Sequence, residues 1–568
     1  MGASNGVGRK MTRRAFFKGG IAAGALVALA ACGNKGTSTA SSATTSAQTD
    51  AAATSTDGEL VYSLHDIACI DPYNGHEDQG DMVIQQLFDG LLDYDYKSEK
   101  LVSLAAKSWE KNAAATEFTF HLISGATFHN GEPVTAASFK RAWERICDPT
   151  THGEASSIAY VLSHVKGFDE MQAKTATQLS GVEVVDDLTL RVTLTSSYAE
   201  FPYVCSLPML GPVPQAALDD PDGFYHKPVG NGPFQLENAW VEGQDLHLRR
   251  FEGYYRTKSL IGSVRFVTGN ETDADYQLFQ AGQLDAASIP SSEIQNAIDS
   301  YGKSEDGYTA SPGKQVLTGT ENTVRSIDFN VNDPVLSDVN LRKAISLSID
   351  RKTLCEKIYN GSFTPADNIV MPSINGYEQG AWPYSTYDKN AAVALLDKYY
   401  PTGSDGTRGI KLELIYSSLG ISARDQEVSM IVDNLSAVGI QVSAKSMEST
   451  ERYRRTDSGS FQMAVMGWTN DYPSLDNTLS PLFSSTSGDN PSQYANKAVD
   501  AALASARAIS DDQSRIASLQ AINKVIAEDC PSAPLLYGSL LQAWDKRVTS
   551  VYVRPDTRID MLRVTLVS

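Results

Sequence analysis

Leu104 to Ile146 reads LAAKSWEKNAAATEFTFHLISGATFHNGEPVTAASFKRAWERI. Phe118, Phe120 and Leu122 alternate with polar residues, the period-two pattern of a strand with one buried face. Asn130-Gly131 follows, a dipeptide that tolerates positive φ and so marks a tight turn. Thr135 offers a side-chain oxygen to the free N–H groups of a helix start. Phe139, Ala142, Trp143 and Ile146 come next at i, i+3, i+4 and i+7, which places them on one helical face. Strand, turn and amphipathic helix in so short a stretch predict a mixed α/β body.

Outward from there the same alternation continues. Val182-Glu183-Val184, a turn at Asp186-Asp187, and then Leu188, Leu190, Val192 and Leu194 read as a second hairpin. Far downstream, Val428, Ile431, Val432, Leu435 and Val438 form a helical stripe that Gly439 ends, with Ile440-Gln441-Val442 starting a strand at once. Helices with strands close behind them suggest sheets covered by helices. No short-period repeat is visible from Leu60 onward, and no second low-complexity linker divides the body. Any lobes are therefore joined by short strand crossovers.

With those blocks in place, Leu104–Ile146 resembles the signature segment of family 5 extracellular solute-binding proteins, the dipeptide, oligopeptide and nickel-binding group. Further blocks agree in order: Pro228-Val229-Gly230-Asn231-Gly232-Pro233-Phe234, Arg249 to Tyr255, Phe329-Asn330, Leu341-Arg342-Lys343-Ala344-Ile345 with Ile349-Asp350-Arg351, and Gly467-Trp468 through Asp471-Tyr472-Pro473. The resemblance implies an α/β fold like that of type II periplasmic binding proteins, with hinged lobes and the ligand enclosed between lobes I and III. Residues 59–78, 226–315 and 535–568 would form lobe I. Lobe II would be an insertion over 79–225, and lobe III would span 316–534. The implied role is capture of a short peptide and its delivery to the permease of an ABC importer, by a monomer and with no cofactor. A hinge of this kind closes because the ligand touches both lobes and so binds the closed state better.

The resemblance also implies site residues. Asp471 matches the family's partner for a peptide α-ammonium, and an enclosed ammonium must be met by a charge because burying it unpaired is prohibitive. The plainer alternative is that Asp471 opens a turn ahead of Tyr472-Pro473. Gly467 and Thr469 match positions that offer backbone groups to a peptide added as a strand. Trp468 could wall a pocket or belong to the core. Tyr73 and Asn74, in the loop Asp71-Pro72-Tyr73-Asn74, match the segment of lobe I that faces the ligand. One departure stands out. Some family members carry an arginine just before the Gly-Trp pair to hold the peptide carboxylate, whereas this chain has Val465-Met466, with Arg454 and Arg455 the nearby arginine doublet.

The N-terminus reads as an address. Thr12-Arg13-Arg14-Ala15-Phe16-Phe17-Lys18 precedes an uncharged run from Gly19 to Ala31, too short to span a bilayer but right for an export signal. Its paired arginines resemble the twin-arginine type. Leu29-Ala30-Ala31-Cys32 resembles a lipobox, which would make residues 1–31 a signal and Cys32 a lipidated first residue. Residues 32–58 are rich in Ser, Thr and Ala, too apolar-poor to fold, and read as a flexible tether. The expected location is the outer face of the bacterial cytoplasmic membrane, at the cell surface or in the periplasm, with the lipid as the membrane contact.

Overall charge agrees. The chain has 48 basic and 68 acidic residues, and five of the basic ones, with no acidic ones, lie in residues 1–31, leaving a body at net −25. Such a body repels nucleic acid, which is excluded as a partner. Five cysteines remain beyond Cys32, and none has zinc or redox spacing; isolated buried thiols and a disulfide are both open. No H-E-x-x-H, G-x-S-x-G, P-loop or cysteine–histidine signature appears, so no enzyme is expected. The alternatives are a nickel chelate, haem or oligosaccharide on the same fold, or a peptide sensor not coupled to import.

Overall fold

The computed structural model describes residues 54–567, apart from 56, 66, 76, 152–154, 270, 405–406 and 419–420. The expected signal, Cys32 and the stretch after it up to Ala53 lie outside the described residues. Thr54 and Ser55, inside the stretch read as a tether, pair with Val567 and Leu566.

Three sheets organise the body. The first has seven strands, with β1 (Glu59–Leu64) at its centre between Ala286–Ser288 and Ser263–Thr268, parallel to both. Leu60, Tyr62 and Leu64 alternate inward from β1 into the largest core cluster. The second sheet is the antiparallel four-stranded set Ala106–Lys111, Glu117–Leu122, Thr189–Thr193 and Val182–Asp186. Phe118, Phe120 and Leu122 are buried there as their alternation predicts. α1 (Ala136–Cys147) covers this sheet, started by a reciprocal Thr135–Ser138 cap. Its Trp143 is fully buried and donates from Nε1 to the Leu210 carbonyl at 3.0 Å, which satisfies the one polar atom of a large apolar side chain.

The third sheet is built from β2 (Thr320–Phe329), β3 (Lys411–Tyr416), β4 (Gln441–Ser446), β5 (Met463–Thr469) and β6 (Ser532–Ser539), plus Thr364–Pro365. β2 lies antiparallel between β5 and β6, and β3 runs parallel to β4 and β5. The crossover from β3 to β4 is α2 (Ser422–Ser436). Gly439 ends that unit with φ +85°, a conformation that costs a Cβ-bearing residue more. The chain passes from the first sheet into the third at 317–320 and returns at 539–542. The two crossings lie side by side: Thr320 pairs with Ser539, and Leu540 N–H donates to Gly319 O at 2.8 Å. All five described cysteines are free and buried.

Candidate functional site

β5 is half a sheet edge. Its register with β2 runs from Thr323↔Thr469 to Phe329↔Met463. In that register Asn470 N–H donates to Asn322 O at 3.1 Å and Asn330 N–H to Gln462 O at 2.9 Å. Antiparallel hydrogen bonds alternate along a strand. The even-numbered residues of β5 therefore bond to β2, and Val465, Gly467 and Thr469 aim their N–H and C=O groups at the opposite edge. β3 covers only the start of that edge, at Met463 and Ala464. Beyond Ala464 no strand among the described residues pairs with it. Thr469 Oγ1 lies 2.9 Å from Thr323 Oγ1, which fixes the strand's last side chain against its neighbour.

Asp471 stands just past the end of this edge, half-buried. Its N–H donates to Asn477 Oδ1 at 2.8 Å, and its Oδ2 accepts from Asn477 Nδ2 at 3.3 Å. Asn477 is buried at the start of the helix Asp476–Phe483. The other carboxylate oxygen, Oδ1, accepts from Tyr160 OH at 3.2 Å. Tyr160 lies between the second-sheet strands Glu117–Leu122 and Val182–Asp186, so the carboxylate is oriented from two separate parts of the chain.

Trp468 is 1% exposed and packs with Leu479, Leu482 and Val324. Its Nε1 donates to Asn470 Oδ1 at 2.9 Å. It stands behind the edge and steadies Asn470. Tyr73 is buried, with its OH donating to Thr151 O at 2.9 Å, and Asn74 Oδ1 accepts from Ser157 N–H and Oγ at 2.8 and 2.7 Å. The loop carrying both is clamped to the insertion by Arg145 of α1, whose Nη1 and Nη2 donate to Asp71 at 2.7 and 2.6 Å. Tyr73 and Asn74 thus brace the segment that presents Tyr160, three residues past Ser157.

Sequence reasoning missed Tyr160 and Asn477, and with them a seam between the segment carrying the second sheet and the third sheet. Tyr198 and Tyr472 hydroxyls lie 2.5 Å apart. Glu200 accepts from Ser474 Oγ and, at 3.1 Å, from Arg515 Nε. Arg507 Nε donates to Asp476 Oδ2 at 2.9 Å. Burial, and then the neighbouring Asp476, push the Glu200 carboxyl up to about 7, against the pull of Arg515. A cavity of about 60 Å3 opens along the seam between Tyr160, His164, Tyr198, Tyr472, Asn477 and Arg507. That is room for a small side chain, not for a peptide. The only sequence signal for the seam was the Asp-Tyr-Pro block itself. Among the described residues no group of three or more His, Cys, Asp or Glu could hold a metal, and no helix is long and apolar enough to cross a membrane.

Comparison with known proteins places this geometry. Residues 100–490 match the sequence model of bacterial extracellular solute-binding proteins, family 5. The chain is 26% identical over 490 residues to the probable deoxycholate-binding periplasmic protein YgiS of Escherichia coli, covering 85% of this chain and 88% of that one. It is also 26% identical over 502 residues to the glutathione-binding protein GsiB of Salmonella paratyphi A, covering 86% and 90%. Among solved structures, the periplasmic murein tripeptide-binding protein MppA in its unliganded open form superposes with a TM-score of 0.76 at 23% identity, over 90% of this chain and 97% of that one.

Proposed function

The chain belongs to the bacterial extracellular solute-binding proteins of family 5, and on that premise we propose that it captures short peptides outside the cytoplasmic membrane for an ABC import permease. The observation that carries this reading is the open edge of β5 ending at Asp471. An extended peptide needs a row of backbone donors and acceptors and an anion for its ammonium, and Gly467, Thr469 and Asp471 offer both in line. Relatives named for glutathione, itself a tripeptide, support the class. The relative named for deoxycholate marks the alternative, but a sterol acid has no ammonium for Asp471 and no use for a strand edge. In this reading the first and third sheets are the cores of the two lobes that close on the ligand, and the paired crossings at 317–320 and 539–542 are the hinge. Cys32 would carry the lipid that tethers a monomeric body to the membrane; persistent membrane association of Cys32→Ala contradicts that anchor. Native mass spectrometry of the purified protein tests the cargo. Co-purified masses that sequence as two- to six-residue peptides are expected, and a single non-peptide mass overturns the reading.

A further inference from the structure

The loop from Asp471 to Asn477 is fastened to the seam at every second residue. Tyr472 meets the Tyr198 hydroxyl at 2.5 Å, Ser474 Oγ donates to Glu200 Oε2, and Asp476 accepts from Arg507 Nε at 2.9 Å. Asp471 and Asn477 hold each other across the two ends of the loop. Glu200 is 3% exposed and Asp476 1%, so two enclosed carboxylates stand within a few residues of the one proposed to meet the ligand. The cations around Glu200 are shared. Arg515 donates to it at 3.1 Å and also pairs with Asp512 at 2.9 Å, Arg507 serves Asp476, and Lys111 donates to the Ser510 carbonyl at 2.7 Å. Tyr198 and Tyr203 also face it, and burial lifts both phenols far above neutral pH. The cavity along the seam reaches Asp476 and is wide enough for water, which gives a proton a way out.

We propose that Glu200 is a positioning residue for Asp471, and that its carboxyl releases a proton to water when a cationic group docks at Asp471. The inference rests on the peptide reading above and adds a proton to it. Ser474, which touches Glu200, is three residues from Asp471, at most about 11 Å of chain, and salt screens a buried group little. A cation brought to that end of the loop favours the ionised form of each carboxyl near it. Ionised Glu200 accepts the Ser474 hydroxyl in a charge-assisted hydrogen bond, the stronger kind, so the loop is held most firmly with ligand in place. By linkage, a ligand that expels a proton binds more tightly as pH rises.

The test is calorimetric titration of the full chain in detergent with a tetrapeptide that it selects from a randomised library. Titrations at about pH 6.5 in two buffers of different ionisation enthalpy count the protons. A Glu200 carboxyl that starts at about 7 and drops by about one unit on binding releases about half a proton per peptide, with affinity about fourfold higher at pH 7 than at pH 5.5. The peptide ammonium stays largely protonated over that range. Glu200→Gln should release no proton and bind equally at both pH values. Asp476→Asn, which removes the repelling carboxylate, should release less than the unaltered protein, with circular dichroism confirming that each variant is folded. Peptide binding without proton release overturns the proposal and leaves the peptide reading standing, as does undiminished release in either folded variant. Release lost in His164→Gln but kept in Glu200→Gln assigns the proton to the imidazole beside Tyr198, 4.3 Å between ring centres, and overturns it too. A library from which nothing binds overturns both.

Discussion

Among the described residues, two fully buried ion pairs join the segment that carries the second sheet to the rest of the molecule, and they are built differently. Asp71–Arg145 ties it to the first sheet, with side chains 0% and 2% exposed. The arginine takes both carboxylate oxygens and lies over the Tyr73 and Phe224 rings, 5.2 and 5.3 Å from their centres. Glu200–Arg515 ties it to the third sheet, equally buried at 4% and 2%. Here Asp476, Arg507 and Asp512 crowd the same volume, and the glutamate is held by one arginine nitrogen and a serine. The first pair is a fixed joint, because two guanidinium nitrogens meet both carboxylate oxygens at 2.7 and 2.6 Å. The second is a seam whose strength depends on which acid carries a proton. The seam also contains Tyr160 and Tyr472, on either side of Asp471, so the joint that can loosen is the one beside the ligand site.

Three substitutions sharpen that contrast. The largest effect is expected from Arg145→Ala, which leaves Asp71 buried without its arginine and should cost about 3–5 kcal/mol in denaturant unfolding; a loss under about 1 kcal/mol would erase the distinction between joint and seam. Next is Glu200→Gln. Because the folded protein lifts the Glu200 pKa to about 7 from the ordinary value near 4.5, the unfolded chain releases its proton first as pH rises. This group's contribution to stability is therefore greatest at low pH and falls between about pH 4.5 and 7. The glutamine variant should show a flatter thermal-stability profile from pH 5 to 8 than the unaltered protein, and an unchanged slope would put the titration elsewhere. The smallest is Tyr198→Phe, which removes the hydroxyl contact to Tyr472 and should cost about 1 kcal/mol, with no loss of peptide affinity. A large loss of affinity would move Tyr198 from the seam into the site.

How much of this was legible in the sequence follows from how local each signal is. The helix from Ala136, the hairpin over 182–194 and the turn at Gly439 that follows α2 were readable because periodicity and caps act within a few residues. Asp471, Gly467 and Thr469 were singled out by a motif, and the register of β5 then shows that the odd-numbered residues aim their backbone groups at the open edge. Tyr160 was not readable, because it meets Asp471 across 311 positions and only the fold brings them together. Tyr73 and Asn74 match the segment expected to face the ligand; their bonds to Thr151 and Ser157 are contacts no spacing rule encodes.

The most direct test of the central claim is calorimetric titration of Asp471→Ala with a peptide that the unaltered protein binds. If Asp471 meets the ammonium at the end of the open edge, affinity falls by about 200- to 4,000-fold, the equivalent of roughly 3–5 kcal/mol, while the unfolding midpoint stays close to that of the unaltered protein. Unaltered affinity in a folded variant would contradict the account, leaving Asp471 as a turn residue and the open edge without its anchor.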